Sequence, residues 1–562
     1  MYKCLVWLTV FSSILINHTL LKDQNFRNSL PLIHNLRYSD YLIQKWFLVA
    51  AGFIILGWWL FNQRNIFKYL KINLLPILII LIVLLICRSI SFQRWFEFDD
   101  YRLIGHQHAV NGTANYNQMG LINNPFYGYA ASYAVVNLLD DKFELYNSLG
   151  IFILFLIGVV VFTIANKLQK RRLVSLLAAL FFVTSPTYWR QILQMHEFLG
   201  DTFPLLLSTL SVYLLVVRFY PGAIIFAAAA LEFGLSREHF IALPLILIGL
   251  FFVWSKKIPK EELIITLATL PILSMLYLPV LSSHPPEILN KNDWLSNWPQ
   301  LIRISDSIFA ASMPHGVASF LLFLPRMLMP NNFYISSLLG VLIVVSLIIL
   351  IIWSFNRRKI LAAKILTVGL VIVTVSMVFP TLMGIRLVHD FKILPEQYSD
   401  FFPAAPTSYG LPAAFGLAFL VIGFGQLVRL KIFNIFLISL ITINIVTVLA
   451  ADYEWVKQFS RPQRIANQQL ENIISADGQT KVIYAEKILP RYISYFYQLY
   501  RIKEPLYVSN DPEEFIRLIK KYQPKKEGIY LLVLDDKNYT IYDNSQKLRV
   551  YEVQKLTAKL LE

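Results

Sequence analysis

LLPILIILIVLLICRSISFQRWFEFDDYR, residues 74–102, joins an apolar run from Leu74 to Ile90 to three carboxylates a few residues further on, Glu97, Asp99 and Asp100. The run is long enough to satisfy its own backbone as a helix across a hydrocarbon layer about 30 Å thick. Charge beside a membrane span is costly and persists where it pairs, conducts or catalyses, so the acids mark a candidate site as well as a helix end.

Similar runs recur on either side. Of 562 residues 56% are hydrophobic and only 15% charged, and apolar stretches continue to about residue 451. No strand-like alternation suggests a barrel, so the expected fold class is a polytopic α-helical membrane protein of about thirteen spans. They begin near Leu5, Trp46, Asn73, Leu145, Leu173, Asp201, Pro221, Phe240, Leu263, Leu338, Leu361, Thr407 and Phe433. The first, Met1 to Leu21 with Lys3, also reads as an uncleaved signal anchor, or as a signal peptide without a convincing small-residue cleavage site. The chain divides into N-terminal spans and linkers (1–72), a transmembrane module (73–451) and a tail (452–562).

Basic residues occupy every second short loop: Arg64, Lys68 and Lys71; Lys167, Lys170, Arg171 and Arg172; Lys256, Lys257 and Lys260; Arg357, Arg358 and Lys359; Arg429 and Lys431. By the positive-inside rule those loops are cytoplasmic. The net charge of +16 is then explained by topology and by lysines in the tail, and no nucleic-acid partner is expected. Cys4 and Cys87 both fall in expected spans and imply no disulfide framework.

With this orientation the polar chemistry collects on the opposite face. All nine histidines lie on or near it, as do Glu97, Asp99, Asp100, Asp140, Asp141, Glu144, Glu197, Asp201, Glu238 and Asp390. Sorting of basic residues inward would leave acids outside by default, but it does not explain the histidines. The outer connections 91–144, 282–337 and 384–406 are long, and 186–200 is a shorter one. Long connections usually carry function or disorder. Their aromatics, among them Trp95, Tyr116, Phe126, Trp294 and Trp298, suit segments lying in the membrane interface.

After about Ala451 apolar runs shorten to strand length and charge rises, so the tail is expected to be a small soluble α/β domain. Lys481 to Ala485, Pro505 to Val508 and Ile529 to Leu534 read as buried strands, and Asp511 to Tyr522 as an amphipathic helix capped by Asn510. No glycine-rich turn follows any strand, so no nucleotide is assigned. An odd number of spans from a cytoplasmic N-terminus places this domain outside.

The outer motifs resemble the GT-C superfamily of membrane glycosyltransferases. The resemblance rests on Asp99-Asp100 after a span, then Gly112, Tyr116-Asn117 and Asn124-Pro125-Phe126, followed by QMHEFLGD at Gln194 to Asp201 and SREHF at Ser236 to Phe240. It continues with HDF at His389 to Phe391 and YSDFFPAAP from Tyr398 to Pro406. The branches it suggests are arabinofuranosyl- and mannosyltransferases, with lipid A aminoarabinose transferases and protein O-mannosyltransferases as relatives. The chain departs from the pattern in lacking a proline between Arg237 and Glu238, in having Val388 and His389 before Asp390, and in Asp400 before the aromatic pair.

The resemblance implies transfer of a sugar from a polyprenyl-phosphate donor, with inversion, to a hydroxyl of a glycan, lipid or protein on the outer face of a bacterial cytoplasmic membrane. A hydroxyl is a poor nucleophile at neutral pH, and a carboxylate can take its proton, the role expected of Asp99 or Asp100. A cation is needed for the departing lipid phosphate; Arg237 is the first candidate, followed by Arg386, Lys392 and Arg326. Glu238, His389 and Asp390 are expected to support them. Glu197 and Asp201 could bind acceptor or, with Asp100, His106 and His108, a divalent cation such as magnesium or manganese, although spacing alone does not build that metal site. Each residue has a plainer reading: a solvated helix end for the aspartates, a surface acid for Glu197, and a mutual ion pair for Arg237 and Glu238. The rival classes are a lipid-linked sugar transporter or flippase, which would place polar groups at mid-membrane, and an inactive assembly subunit.

Overall fold

The computed structural model describes residues 2–19, 39–62, 66–94, 143–169, 171–188, 202–233, 333–382, 410–428, 430–461 and 464, and in the tail 481–485, 506–509, 512–522, 529–534 and 548–552. The fold is predominantly helical. Eleven α-helices precede the tail among the described residues: α1 (Tyr2–Thr19), α2 (Ser39–Phe61), α3 (Ile66–Cys87), α4 (Phe143–Gln169), α5 (Arg172–Val183), α6 (Phe203–Val216), α7 (Tyr220–Phe233), α8 (Phe333–Asn356), α9 (Ile360–Leu382), α10 (Gly410–Leu427) and α11 (Leu430–Trp455). They fall on eleven of the apolar runs read in the sequence; the runs near Phe240 and Leu263 lie outside the described residues. Two helical segments, Leu145–Gln169 and Lys431–Tyr453, are long and apolar enough to cross a membrane.

Several hydroxyls inside these helices are satisfied without leaving them. Thr163, Ser354 and Thr367 donate to the carbonyls of Val159, Leu350 and Ala363, each four residues back, whereas the buried Ser211 hydroxyl of α6 donates across to the Ala223 carbonyl of α7. The helical hairpins α6–α7 and α8–α9 turn on arginines in the left-handed region, Arg218 at φ 64° and Arg358 at φ 55°. Phe219 N–H donates to Leu214 and Lys359 N–H to Ser354, which closes both helix ends in the Schellman manner. Glycine is the usual residue there; an arginine instead sets a cation against the negative end of the helix dipole.

Packing is closest between α9 and α10. A Cβ built on Gly369 would lie 2.8 Å from the Gly416 carbonyl oxygen and 2.8 Å from the Leu420 amide nitrogen, and one on Gly416 would lie 2.9 Å from Val373 N. The backbones meet because neither residue has a side chain, a common device where apolar helices associate. Gly416→Val is therefore expected to cost roughly 1–3 kcal/mol by overpacking. Thermal unfolding in detergent checks this, and an unchanged transition would contradict so close a crossing.

Buried Leu, Ile, Val, Ala and Phe from α1 to α11 form one continuous apolar core, to which α7 contributes Ala227 to Ala230, all fully buried. Apolar side chains also face outward, including Leu74, Leu75 and Ile82 on α3, Ile349 and Ile352 on α8, and Ile435, Phe436 and Val446 on α11.

In the tail, β1 (Lys481–Ala485), β2 (Leu506–Ser509), β3 (Ile529–Leu534) and β4 (Leu548–Glu552) form one sheet in the order β2-β1-β3-β4. β1 is parallel to both neighbours, with Val482 opposite Tyr507 and Ile529, and β4 closes antiparallel on β3. Helix α12 (Pro512–Tyr522) lies between β2 and β3 in sequence, begins with Glu513 and Glu514 and ends with Lys520 and Lys521, in accord with its dipole. It buries Phe515 and stacks Tyr522 on Tyr507 of β2 with ring centroids 3.7 Å apart.

Candidate functional site

Helix α3 leads into a tight turn. Arg88 N–H donates to Leu84, Ser91 N–H to Arg88 and Arg94 N–H to Ser91, and residues Ile90–Gln93 form a 3₁₀ segment. A 3₁₀ turn repeats every three residues, so side chains at i and i+3 fall in line. Arg88, Ser91 and Arg94 accordingly point inward and are buried, while Ser89 and Gln93 between them are exposed.

The inward row meets the far end of α11. Arg94 Nη2 donates to Asp452 Oδ1 at 2.7 Å with both side chains fully buried. The Ser91 hydroxyl donates to Asp452 Oδ2, and Asn147 Nδ2, near the start of α4, donates to the Ser91 carbonyl at 3.0 Å. The Arg94 guanidinium carbon lies 5.7 Å from the Trp455 ring centroid. Cys87, Val448, Ala451 and Trp455 pack around the junction. Three chain segments, the turn after α3, α4 and α11, are thus linked at one end of the bundle around a carboxylate with both oxygens engaged.

Arg88 has no such counterpart among the described residues. It is fully buried, and none of its three nitrogens has a hydrogen-bond partner among the described residues. Its guanidinium carbon lies 5.6 Å from the ring centroid of Tyr188, in the 3₁₀ turn Pro186–Tyr188 after α5. The Tyr188 hydroxyl donates to the Phe182 carbonyl. Burial pushes this phenol up, against the pull of the Arg88 charge. The buried charged residues among the described ones are Arg88, Arg94 and Asp452, two cations against one anion. Isolated buried charge costs several kcal/mol per ion even after relaxation, so an excess cation calls for an anion.

The opposite end of the bundle carries the basic loops. Gln169 donates its side-chain amide to the Ile422 carbonyl, Arg171 Nη1 donates to the Gly425 carbonyl at 3.0 Å, and Arg172 donates to the Ile72 carbonyl. The ends of α3, α4, α5 and α10 therefore meet there, away from Arg88, Arg94 and Asp452.

Every residue nominated from sequence lies outside the described residues: Asp99, Asp100, His106, His108, Glu197, Asp201, Arg237, Glu238, Arg326, Arg386, His389, Asp390 and Lys392. Asp99 follows Arg94 by five residues, a length of chain that reaches at most about 18 Å. Among the described residues no three His, Cys, Asp or Glu side chains are grouped to hold a metal. Sequence reading missed Arg88, Ser91, Arg94, Asn147 and Asp452. The available signal was two arginines and a serine at intervals of three directly after an apolar run, with an aspartate at the end of the last run.

What the described residues define is a helical protein with a buried, net cationic cluster at one end of its bundle. No protein-family model matches the chain, and no curated protein matches it in sequence.

Proposed function

We propose that the chain is a polytopic membrane glycosyltransferase of about thirteen spans, related in plan to the GT-C enzymes and acting at the outer face with a polyprenyl-phosphate sugar as donor. The observation that carries this reading is the buried cationic cluster at the end of α3, five residues before Asp99. It supplies positive potential where a phosphate must be held, next in sequence to carboxylates able to accept a proton. The outward Leu and Ile of α3, α8 and α11 give the bundle a surface suited to lipid.

Asp99 or Asp100 takes the proton of the acceptor hydroxyl as it attacks the anomeric carbon from the face opposite the phosphate, and the sugar inverts. Negative charge beside the oxocarbenium-like centre stabilises the transition state. Arg237, with Arg386, Lys392 and Arg326 behind it, steadies the departing phosphate. Glu197 and Asp201 orient the acceptor, and Glu238, His389 and Asp390 support the donor side. A magnesium or manganese ion between Asp100, His106, His108 and Glu197 would supply further positive charge. The tail sheet and α12 form a soluble domain on the same outer face, and the membrane is a bacterial cytoplasmic one. A transporter would place its charge at mid-membrane, whereas the three buried charged side chains among the described residues gather at one helix end.

Mass spectrometry of surface glycans and glycolipids tests this in cells with and without the gene. Loss of one sugar-sized mass from the glycan with accumulation of the intact lipid-phosphate sugar is expected in the null. If the lipid-phosphate sugar instead accumulates only on the inner leaflet, the protein moves the donor and transfers nothing.

A further inference from the structure

We propose that the turn between α8 and α9 binds the phosphate headgroup of an anionic phospholipid, through Arg357 and Lys359 gathered on the ring of Trp353. The Arg357 guanidinium carbon lies 6.0 Å and the Lys359 ammonium nitrogen 5.6 Å from the centroid of that ring. Attraction to the indole face holds both cations near one spot, against the repulsion between them. The turn itself is well defined. Arg358 sits at φ 55° and Lys359 N–H donates to the Ser354 carbonyl at 2.9 Å, so three consecutive cations are carried on a closed helix end. All three are exposed, and Trp353 is 42% exposed. Their charge is not cancelled from within these helices, since no Asp or Glu occurs between Asp306 and Asp390. The connection 256–262, outside the described residues, sets Lys256, Lys257 and Lys260 against Glu261 and Glu262 and has no net negative charge to lend.

The lipid source follows from what shares the face. Val345, Ile349, Trp353 and Arg357 recur every four residues along α8 and therefore form one stripe, apolar first, then aromatic, then cationic at the helix end. Val345 and Ile349 are exposed, and Ile360 and Leu361 turn outward again just after the cations. A soluble anion would use the cations alone. A phospholipid matches the whole stripe: acyl chains along Val345 and Ile349, the indole at the boundary, and the phosphate at Arg357 and Lys359, whose stems lie along the apolar surface. With the basic loops on the cytoplasmic side, this end meets the leaflet whose anionic lipids attract basic residues at the surface. The proposal requires a bilayer but no sugar donor and no residue assigned to transfer, so it stands or falls separately from the glycosyltransferase reading.

The test uses the full chain in nanodiscs of neutral phosphatidylcholine, into which either phosphatidylglycerol or phosphatidylcholine with chains brominated near the headgroup is mixed. Bromine quenches indole fluorescence only at short range, and the Trp353 signal is the difference between wild type and Trp353→Phe. Half-quenching of Trp353 should need about tenfold less brominated phosphatidylglycerol than brominated phosphatidylcholine, since each surface cation favours an anionic membrane by roughly fivefold. Arg357→Gln with Lys359→Gln should bring that ratio close to one. The exchange Arg357→Lys with Lys359→Arg keeps both charges and should keep most of the preference. Lys431→Gln, which removes another exposed cation at the basic end, should leave it unchanged. The substituted side chains are exposed, so the variants should unfold in detergent at the wild-type temperature. Equal quenching by the two lipids in the wild type, or a preference that survives in the double glutamine variant, overturns the proposal. So does an equal loss in Lys431→Gln, which would show a diffuse field in place of a site. Failure of both lipids to quench Trp353 takes the stripe out of the bilayer and overturns it as well.

Discussion

Asp452→Ala is expected to destabilise the protein by about 3–5 kcal/mol, the cost of leaving a buried partner charge uncompensated. Arg94 is fully buried, its 2.7 Å ion pair to Asp452 would be gone, and the Ser91 hydroxyl would lose its acceptor in the same step. Part of that cost arises from the remaining cation and not from the missing bond. Replacing both partners with apolar residues of similar size, Arg94→Met with Asp452→Leu, is therefore expected to recover most of the loss. Unfolding of the two singles and the double in detergent forms a complete cycle. A double variant as unstable as Asp452→Ala would show that the aspartate acts through some other contact.

On the glycosyltransferase reading proposed above, Asp99→Asn and Asp100→Asn should separate into one severe and one milder variant. A carboxamide keeps the shape of the side chain and cannot accept the proton, so loss of the general base is expected to lower transfer by about 10²–10⁴-fold. The other aspartate, contributing negative charge near the sugar, should affect the rate less. Transfer from a synthetic lipid-phosphate sugar measures both, with donor binding followed separately to show that the variants still fold. If both retain wild-type rates, neither aspartate is the base and the catalytic assignment to this pair is wrong.

The helices were legible because apolar length is a local property. The run from Leu74 becomes α3, the run from Leu338 becomes α8, and the strands at Lys481 and Ile529 start where short apolar stretches do. The crossing at Gly369 and Gly416 was not, since a glycine in an apolar run looks the same whether it faces lipid or a neighbouring backbone. Of the site, the sequence indicated one end of the bundle as the place to look, on the strength of Asp99 and Asp100. The Arg94–Asp452 pair could not be read from it. Its partners are 358 residues apart, and no spacing rule joins the end of the third helix to the end of the eleventh. Arg88 and Arg94 were visible as charges beside an apolar run, but their common direction comes from the 3₁₀ turn between them, and no local pattern foretold it.

The same ion pair has a consequence for how the chain is made. At roughly 5–20 residues per second, synthesis of the 358 residues between Arg94 and Asp452 takes roughly 20–70 s, and throughout that interval the arginine has left the ribosome without its carboxylate. The first helices must wait for α11 to arrive before this junction can close. A chain stopped short of Asp452 cannot complete that junction however well its earlier helices have inserted. Premature termination between Arg94 and Asp452 thus yields a product in which this ion pair can never form.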